Sequence, residues 1–561
     1  MIENRIFESV TRLSNWLDQS ALPFWSNDGF DDVLEIFHER VDFKGRPQQD
    51  LPRRLMVQCR QISVLAHSRL RGRLDEKLDL IKIFDRVTEL YYDPDRGTRW
   101  CFSINQNGAV VDDVCDSYSL GFVMFCLSWL YRLDQNPKYI ALADEIIEIL
   151  YASFSDQDGG VASDMDQAIL SQNPNMHLLE AYIAMFEATG RDAYLLQAEK
   201  VAAFFCDKLY IHSVNAVPEN HSEFWGSVDE HNSWFEPGHH FEWICLLRQL
   251  TCVGGKDFEK LNCELKIRAI SEGIDEENLA IERVDICSGT RTTSRRLWGT
   301  CEYIKLCANE VERALAYDDK CATNSWTGKL TEALDSLYRN FLDTEIPGLW
   351  IDRIDDSGAS LSLDVPASSF YHLAFSIIEC ERTIKRYVGV HSKFMKEKRG
   401  VLFLDRDGVI NIDTRYASKP EQIFFRDDVA ELIRVANDAN LACVVVSNQS
   451  GVARGYFSEM DILNLHRWMN DELKLRGACI EAWYYCPYHF EATSFLYKSD
   501  NHYDRKPNGG LILRAALELN LDLSNSYLIG DQQTDIEAGR LSGVRRSFLM
   551  NQISDLMKII R

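Results

Sequence analysis

Over most of the first 390 positions apolar residues recur at helical spacing, most clearly at 139–154, 177–189, 194–209 and 241–250, while strand-like alternation is scarce. This pattern predicts a mostly helical region. After position 400 it gives way to short unbroken apolar runs, Val401-Leu-Phe-Leu404, Ala442-Cys-Val-Val-Val446 and Tyr527-Leu-Ile529, which lead into polar residues. Such runs read as buried strands with chemistry at their tips. A basic, glycine-containing stretch, His391 to Gly400, lies between the two patterns and reads as a linker. A chain of 561 residues exceeds one compact core. The expected organisation is a helical domain at 1–388, a linker at 389–400 and an α/β domain at 401–561.

Polar or ionisable residues inside otherwise apolar helix starts fall at Arg54 or Arg60, Asp116, His177, His239, Glu302 and His372. Successive separations from Asp116 are 61, 62, 63 and 70 positions, and Arg54 lies 62 before it. Units of about 60 residues, each long enough for two helices and their loops, predict an all-α (α/α)6 barrel. In such a barrel the inner helices begin near one end, and their first turns converge on a central pocket. His177, His239 and His372 each begin a helix just after a proline break. His177 and Glu180, like His239 and Glu242, are three apart and share a helix face, so each carboxylate is expected to orient its imidazole.

Composition narrows the function. A net charge of −25 argues against binding nucleic acid or an anionic membrane, both of which need a basic face. Sixteen cysteines are scattered without framework spacing, and no apolar run approaches the ~20 residues of a membrane span. The opening Met-Ile-Glu-Asn-Arg is a poor targeting segment, so a reducing cytoplasm is the expected location. A homo-oligomer is compatible with the composition.

The tip Asp405-Arg-Asp407-Gly408 suits phosphoryl transfer. Asp405 can attack phosphorus, and Asp407 can act as acid and base towards the leaving oxygen. A dianionic phosphate approaches two carboxylates only when a cation offsets their charge, which implies magnesium. Ser447 and the amides after it end the second run, Arg505-Lys506 supply cations, Asp531 is placed to complete the metal shell, and Asp535 is expected to brace the loop. These residues resemble the four motifs of the haloacid dehalogenase superfamily. Asp405-Arg-Asp407-Gly-Val-Ile-Asn411, Asn448-Gln-Ser-Gly-Val-Ala-Arg454-Gly-Tyr-Phe457 and Tyr485-Cys486-Pro487 look most like its heptose-bisphosphate and histidinol-phosphate phosphatases. The resemblance implies a Rossmann-like α/β domain with Asp405 as nucleophile and Asp407 as acid/base. It puts Ser447 and Lys506 on the transferring phosphoryl group, and Mg2+ on Asp405, Asp531 and the backbone carbonyl of Asp407. Asn448, Arg454 and Arg505 would contact substrate. The spacing between motifs leaves no room for a large cap, which would need about 50 or more extra residues.

That subgroup usually carries a cysteine-rich zinc loop, and here the corresponding positions have changed. Cys486, His489, His502 and Asp504 are all competent zinc ligands, but their altered spacing favours a metal-free loop that kept one buried cysteine.

The helical region resembles the N-acylglucosamine 2-epimerase family and relatives that isomerise mannose, fructose or their phosphates. The likeness rests on Arg53-Arg54-Leu-Met-Val-Gln-Cys-Arg60-Gln, Asn173-Pro-Asn-Met-His177-Leu-Leu-Glu180-Ala, Pro237-Gly-His239-His-Phe-Glu242-Trp, Arg296-Leu-Trp298-Gly-Thr-Cys-Glu302 and Pro366-Ala-Ser-Ser-Phe-Tyr-His372-Leu. It implies that His239 and His372 move a proton at the carbon next to the sugar carbonyl, chemistry that histidine can perform without a metal. By the same resemblance Arg60, or alternatively Arg54, polarises the carbonyl oxygen. His177 would assist ring opening or hold a hydroxyl. Glu180, Glu242, Trp298 and Glu302 would line the substrate site, with Trp298 stacking on a sugar face.

Together the halves predict a bifunctional carbohydrate enzyme. One half would be an aldose–ketose isomerase or 2-epimerase acting on a mannose-, fructose- or glucosamine-type sugar or its phosphate. The other would be a magnesium-dependent phosphatase acting on small sugar phosphates. The alternatives are a phosphatase joined to a helical carbohydrate-binding or docking scaffold and, for the C-terminal half, a histidinol-phosphate phosphatase.

Overall fold

The computed structural model describes residues 2–74, 77–155, 159–165, 170–221, 224–227, 233–317, 319–391, 399–493, 497–499, 501–519 and 521–560. The chain divides into two compact units, Met1–Tyr387 and Val388–Arg561. Of the expected linker, 392–398 lie outside the described residues.

The first unit is helical. Its long helices are α1 (Ile2–Trp16), α2 (Leu55–Leu70), α3 (Leu80–Tyr91), α4 (Ser117–Asp134), α5 (Lys138–Ser153), α6 (Gln172–Thr189), α7 (Asp192–Phe204), α8 (Pro237–Cys252), α9 (Glu259–Gly273), α10 (Leu297–Ala316), α11 (Lys320–Leu337) and α12 (Phe370–His391). Helices α2, α4, α6, α8 and α10 pack in succession, and each also packs against the helix that follows it; α11 meets α1 as well. The two sets differ in sequence for a physical reason. Helix α3 buries Leu80, Ile83, Phe84, Val87 and Tyr91 along one stripe and leaves the rest to solvent, whereas α2 is buried on nearly every side, polar Gln58, Arg60 and Gln61 included. A polar residue on such a helix must find a partner or face a cavity.

Two-residue strands fix where most of these inner helices begin. Arg53-Arg54, Leu170-Ser171, Trp234-Phe235, Arg295-Arg296 and Val365-Pro366 precede α2, α6, α8, α10 and the short turn into α12, immediately in every case but α8, where Glu236 intervenes. They pair respectively with Ser103-Ile104, Asn220-His221, Val284-Asp285, Arg353-Ile354 and Arg40-Val41. Helix α6 starts earlier than the apolar spacing suggested and takes Pro174 into its first turn, where a missing N–H costs no helical bond. Asp116, counted in the repeat as a first-turn residue, is instead the cap of α4, its carboxylate accepting from the Ser119 N–H at 2.8 Å.

The second unit is α/β. Strands β1 (Val401–Leu404), β2 (Ala442–Asn448), β3 (Ala482–Cys486), β4 (Tyr527–Gly530) and β5 (Arg546–Leu549) form one parallel sheet in the order 3-2-1-4-5. Both faces are covered, as parallel sheets require. Leu402, Leu404, Val445 and Ile529 point into one apolar layer with Val429, Ile433, Leu465 and Met469. Val401, Phe403, Val444 and Leu528 point into the other with Leu511, Ile512 and Ala538. Among the described residues no helix is long and apolar enough to cross a membrane.

Candidate active sites

In the helical unit a cavity of about 310 Å3 opens over the N-terminal ends of the inner helices. Of the repeat residues, Arg54, Arg60, His177, His239 and His372 line it together with Trp298, whereas Asp116 and Glu302 do not. His239 presents Nδ1 to Glu219, 2.9 Å from Oε1 and 2.8 Å from Oε2, and His372 presents Nδ1 to Glu302 Oε1 at 2.7 Å. Neither Nε2 has a hydrogen bond among the described residues. The ring of Trp298 lies between them, its centroid 4.6 Å from that of His239 and 5.5 Å from that of His372. Gly238 permits this packing, since a Cβ there would stand 2.6 Å from Trp298 Cζ3.

The two imidazoles are driven to opposite charge states. Burial works against charge on both. At His239 the attraction of Glu219 more than offsets it and lifts the pKa to about 9. At His372 burial outweighs the pull of Glu302, with Arg60 and Lys305 adding to it, and the pKa falls to about 3. Glu302 is itself held ionised, chiefly by Lys305, whose ammonium donates to it at 2.9 Å, and by His372.

Arg60 donates to Tyr118 Oη at 2.6 Å and to the Ser368 carbonyl at 3.2 Å, and its guanidinium lies 4.1 Å over the ring of Phe122. Arg54 is bound by Glu39, its Nε 2.8 Å from Oε1, and sits nearer the mouth. His177 has Glu180 Oε2 at 3.2 Å and Glu242 Oε1 at 3.8 Å, and burial depresses its pKa to about 4.

Three expectations change here. Glu242 does not orient His239, because Glu219 does. Nor do Glu180, Glu242 or Glu302 line the histidine cavity; all three line a second cavity of about 650 Å3. The reason is helical rise: Glu180 and Glu242 sit about 4.5 Å further along the axis than His177 and His239, and Glu302 about 6 Å further than Trp298. Glu242 is fully buried there, both oxygens without a hydrogen bond among the described residues, and burial with Glu302 nearby pushes its pKa up. Sequence reasoning also missed Glu236, which lines the histidine cavity, stands at the residue before α8 and is raised to about 7 by burial and by the charge of Glu219. What sets Glu219 beside the start of α8 is its N–H bond to the Trp234 carbonyl, and a linear repeat does not display it.

In the second unit the site residues stand at the carboxyl ends of the strands, where open parallel sheets bind ligands. Asp405 and Asp407 follow β1, Ser447 is the last residue but one of β2 and Asp531 follows β4. The ammonium of Lys506 lies 2.8 Å from Asp405 Oδ1 and 2.5 Å from Asp535 Oδ1, and donates to the Val446 carbonyl at 2.9 Å. Burial raises the pKa of Asp405 against the pull of Lys506, with Asp535 and Asp407 adding repulsion. Asp407 is treated differently. Burial opposes its charge too, but Arg406 at 2.7 Å, Gln449 Nε2 at 2.9 Å and Asn411 Nδ2 at 3.1 Å more than compensate and hold its pKa low.

Carboxylate oxygens of Asp405, Asp531 and Asp535 lie within 4.8 Å of one another, a hard-oxygen set that fits a small divalent cation. Gly408, at φ +82°, is required beside them, since a Cβ would fall 2.5 Å from Asp531 Oδ2. Asp535 was expected only to brace the loop. It does accept from the Gln532 N–H, but it also joins this set.

The remaining expected contacts are partly spoken for. The Asn448 side chain exchanges two 3.0 Å hydrogen bonds with the backbone of Lys506, so it positions that lysine. Arg454 is paired with Glu491 at 2.6 Å, and Arg505 donates to the Tyr488 carbonyl at 3.0 Å.

The four candidate zinc ligands do not form a cluster among the described residues. Cys486 Sγ is 4.0 Å from His502 Nδ1, a nitrogen that also accepts from the Asp504 N–H. Asp504 is taken by Arg514 at 2.9 Å, and His489 Nδ1 accepts from the Glu491 N–H. Tyr488 stacks on His502, with ring centroids 3.8 Å apart.

Fold and sites together define a helical unit of the sugar epimerase and isomerase type, joined to a phosphatase-type α/β unit. The sequence model of the N-acylglucosamine 2-epimerase family matches residues 36–376, more than half of the chain, and the chain belongs to that family. A HAD-hydrolase-like model matches residues 503–552. The second unit is similar to the D-glycero-alpha-D-manno-heptose-1,7-bisphosphate 7-phosphatase of Burkholderia mallei, 42% identical over 153 residues, 27% of this chain and 80% of that protein. The first is similar to the mannose-6-phosphate isomerase of Rhizobium meliloti, 28% identical over 392 residues, 67% of this chain and 97% of that protein. It also shares the fold of the cellobiose 2-epimerase from Bacillus thermoamylovorans, with a TM-score of 0.57 at 17% identity, over 66% of this chain and 99% of that one. Both halves thus belong to enzyme families, one of isomerases and epimerases and one of phosphatases.

Proposed function

We propose that this chain carries two active sites of carbohydrate metabolism, an aldose–ketose isomerase or 2-epimerase and a sugar-phosphate phosphatase. The observation that carries the first is the pair of imidazoles facing one cavity, each held through Nδ1 by a buried carboxylate and driven to opposite charge states. Separation of pKa values between two titratable groups is how one site supplies both an acid and a base. Neutral His372 takes the proton from the carbon next to the carbonyl, protonated His239 covers the developing oxyanion or returns a proton, and Arg60 polarises the carbonyl oxygen. His177 assists ring opening. The consecutive packing of α2 to α10, with Glu302 on α10 reaching His372 on α12 and Gln61 on α2 donating to the Ala367 carbonyl just before it, supports closure of six helix pairs into an (α/α)6 toroid.

In the second site Asp405 attacks phosphorus and forms an aspartyl-phosphate. Asp407, ionised in the free site, takes up the proton carried by the monoanionic phosphate ester and passes it to the leaving oxygen; as a carboxylate again, it takes one from the attacking water. Ser447 and Lys506 hold the phosphoryl oxygens. Asp405, Asp531 and the Asp407 carbonyl would hold magnesium, with Asp535 beside them, and the ion would offset the negative charge of carboxylates and phosphate. The resemblance to heptose-bisphosphate phosphatases supports a sugar phosphate as substrate. Deuterium incorporation at C2 from D2O tests the first site, and a His372→Ala chain that exchanges as fast as wild type would overturn it.

A further inference from the structure

Resting on the isomerase reading above, we propose that the mouth of the histidine cavity is a phosphate subsite built by Arg40, Arg54, Arg296 and Arg353, so that the substrate is a sugar phosphate held by the end remote from its carbonyl. A space of about 340 Å3 adjoins the histidine cavity and shares Arg54, Arg296 and Ser368 with it. Four guanidinium groups line this space, each held by one carboxylate, Asp364, Glu39, Asp352 and Glu282, so what it offers an anion is a set of converging N–H donors and not a net charge.

The arginines are fixed but not saturated. Arg40 Nη1 donates to Asp364 at 2.7 Å, Arg54 donates through Nε and Nη2 to Glu39, and Arg296 Nη2 donates to Asp352 at 3.2 Å. Arg353 Nη2 meets Glu282 at 2.7 Å and Ser294 Oγ at 3.2 Å. Each guanidinium keeps one Nη without a partner among the described residues. A planar fork anchored on one side by a carboxylate and open on the other is suited to a phosphate, which offers acceptors in several directions.

The backbone explains why these four meet. Arg54 and Arg296 immediately precede α2 and α10, each on a two-residue strand, and Arg353 lies on the strand paired with Arg296. Arg40 lies on the strand paired with Pro366, just ahead of the turn into α12. Three helix N-termini therefore present their positive ends at the same mouth and add to the field of the arginines. In depth the order is His239 and His372 in the inner space, Arg54 and Arg296 common to both, and Arg40 and Arg353 at the outer space alone. An extended hexose with its carbonyl carbon at the histidines would carry a terminal phosphate towards that outer space.

The test uses the full chain carrying Asp405→Asn, so that phosphate release does not consume the substrate. C2 exchange is measured with a hexose 6-phosphate and with the free hexose, with and without Arg40→Gln/Arg353→Gln, and with Arg353→Lys as the conservative variant. The expected result is a kcat/KM at least about 100-fold higher for the phosphorylated sugar, a selectivity that the double substitution lowers tenfold or more through KM and that Arg353→Lys partly restores. Equal use of both sugars, or a selectivity unmoved by the double substitution, would overturn the proposal and leave the isomerase reading standing. Absence of exchange with either sugar would count against the isomerase reading. Calorimetry with a hexitol 6-phosphate and with the free hexitol then decides the subsite by itself. Tighter binding of the phosphorylated hexitol that is lost with the two arginines supports it, and binding that ignores them contradicts it.

Discussion

His239 hydrogen-bonds through Nδ1 to both carboxylate oxygens of Glu219, 20 positions earlier in the chain, and not to Glu242 on its own helix. Glu219 is anchored in turn by the N–H of Glu236 at 2.9 Å and by Gln172 Nε2 at 3.0 Å. The carboxylate is therefore a fixed negative charge placed against one face of a buried imidazole, and it keeps that imidazole protonated at neutral pH.

Replacing Glu219 by Gln removes that charge and keeps the shape. In the wild type His239 stays protonated up to about pH 9, so an activity that needs its proton should hold below that pH and fall above it. In Glu219→Gln the alkaline limb should move down by one pH unit or more, and C2 exchange at pH 8 should fall by about 10- to 100-fold. A pH profile of exchange for both proteins checks this; an unmoved limb would mean that another group carries the alkaline titration.

The helical unit should lose stability on mild acidification. The buried His177, His240 and His372 and the half-buried His67 are held below the ordinary histidine value, chiefly by desolvation, at about 3 to 4. Below pH 6.5 the unfolded chain binds protons that these native imidazoles refuse, so stability falls as pH drops, by about 1.4 kcal/mol per pH unit for each histidine. His239 acts with the opposite sign, its contribution being present below pH 6.5 and lost as pH rises through about 9. Calorimetric melting between pH 7.5 and 5 should show a Tm that drops steeply below pH 6.5.

Chelation should separate the two activities. The carboxylate set at Asp405, Asp531 and Asp535 fits a divalent cation, whereas the proton transfer assigned to His239 and His372 needs none. EDTA should stop phosphate release, added Mg2+ should restore it, and C2 exchange should continue throughout.

The loop around Cys486 should work without zinc. Tyr488→Ala, which removes the ring stacked on His502, should destabilise the phosphatase unit by about 1 kcal/mol or more, while zinc in the purified wild type stays well below one equivalent. Elemental analysis and thermal unfolding of the two proteins decide the point.

The parts of this molecule that were legible in the sequence are those written in consecutive residues. Val401 to Asp407 announces both a buried strand and the chemistry at its tip, because a parallel strand exposes only its end. His177, His239 and His372 were legible because each follows a proline near the start of an inner helix, and those helix starts meet in one cavity. Glu219 was not, since it reaches His239 through its N–H bond to the Trp234 carbonyl and its carboxylate's bond from the Glu236 N–H, neither of which has a periodic signal. Glu236 was not because it lies just outside the helix that carries the periodicity. Asp116 misled the repeat because a capping aspartate and a first-turn site residue look alike in one dimension. Asn448 looked like a substrate contact, and only its exchange of hydrogen bonds with Lys506 shows that it serves the lysine.

The most direct test of the central claim is combined proton and phosphorus NMR of the full chain in D2O with magnesium, using mannose-, fructose- and heptose-type phosphates, alongside Asp405→Asn and His239→Ala. The account predicts phosphate release that falls at least about 1000-fold only in Asp405→Asn, and C2 deuterium incorporation that is lost only in His239→Ala. Phosphate release with no deuterium at C2 for any sugar, in wild type as in His239→Ala, would contradict it and leave a phosphatase carrying a helical unit that does no such chemistry.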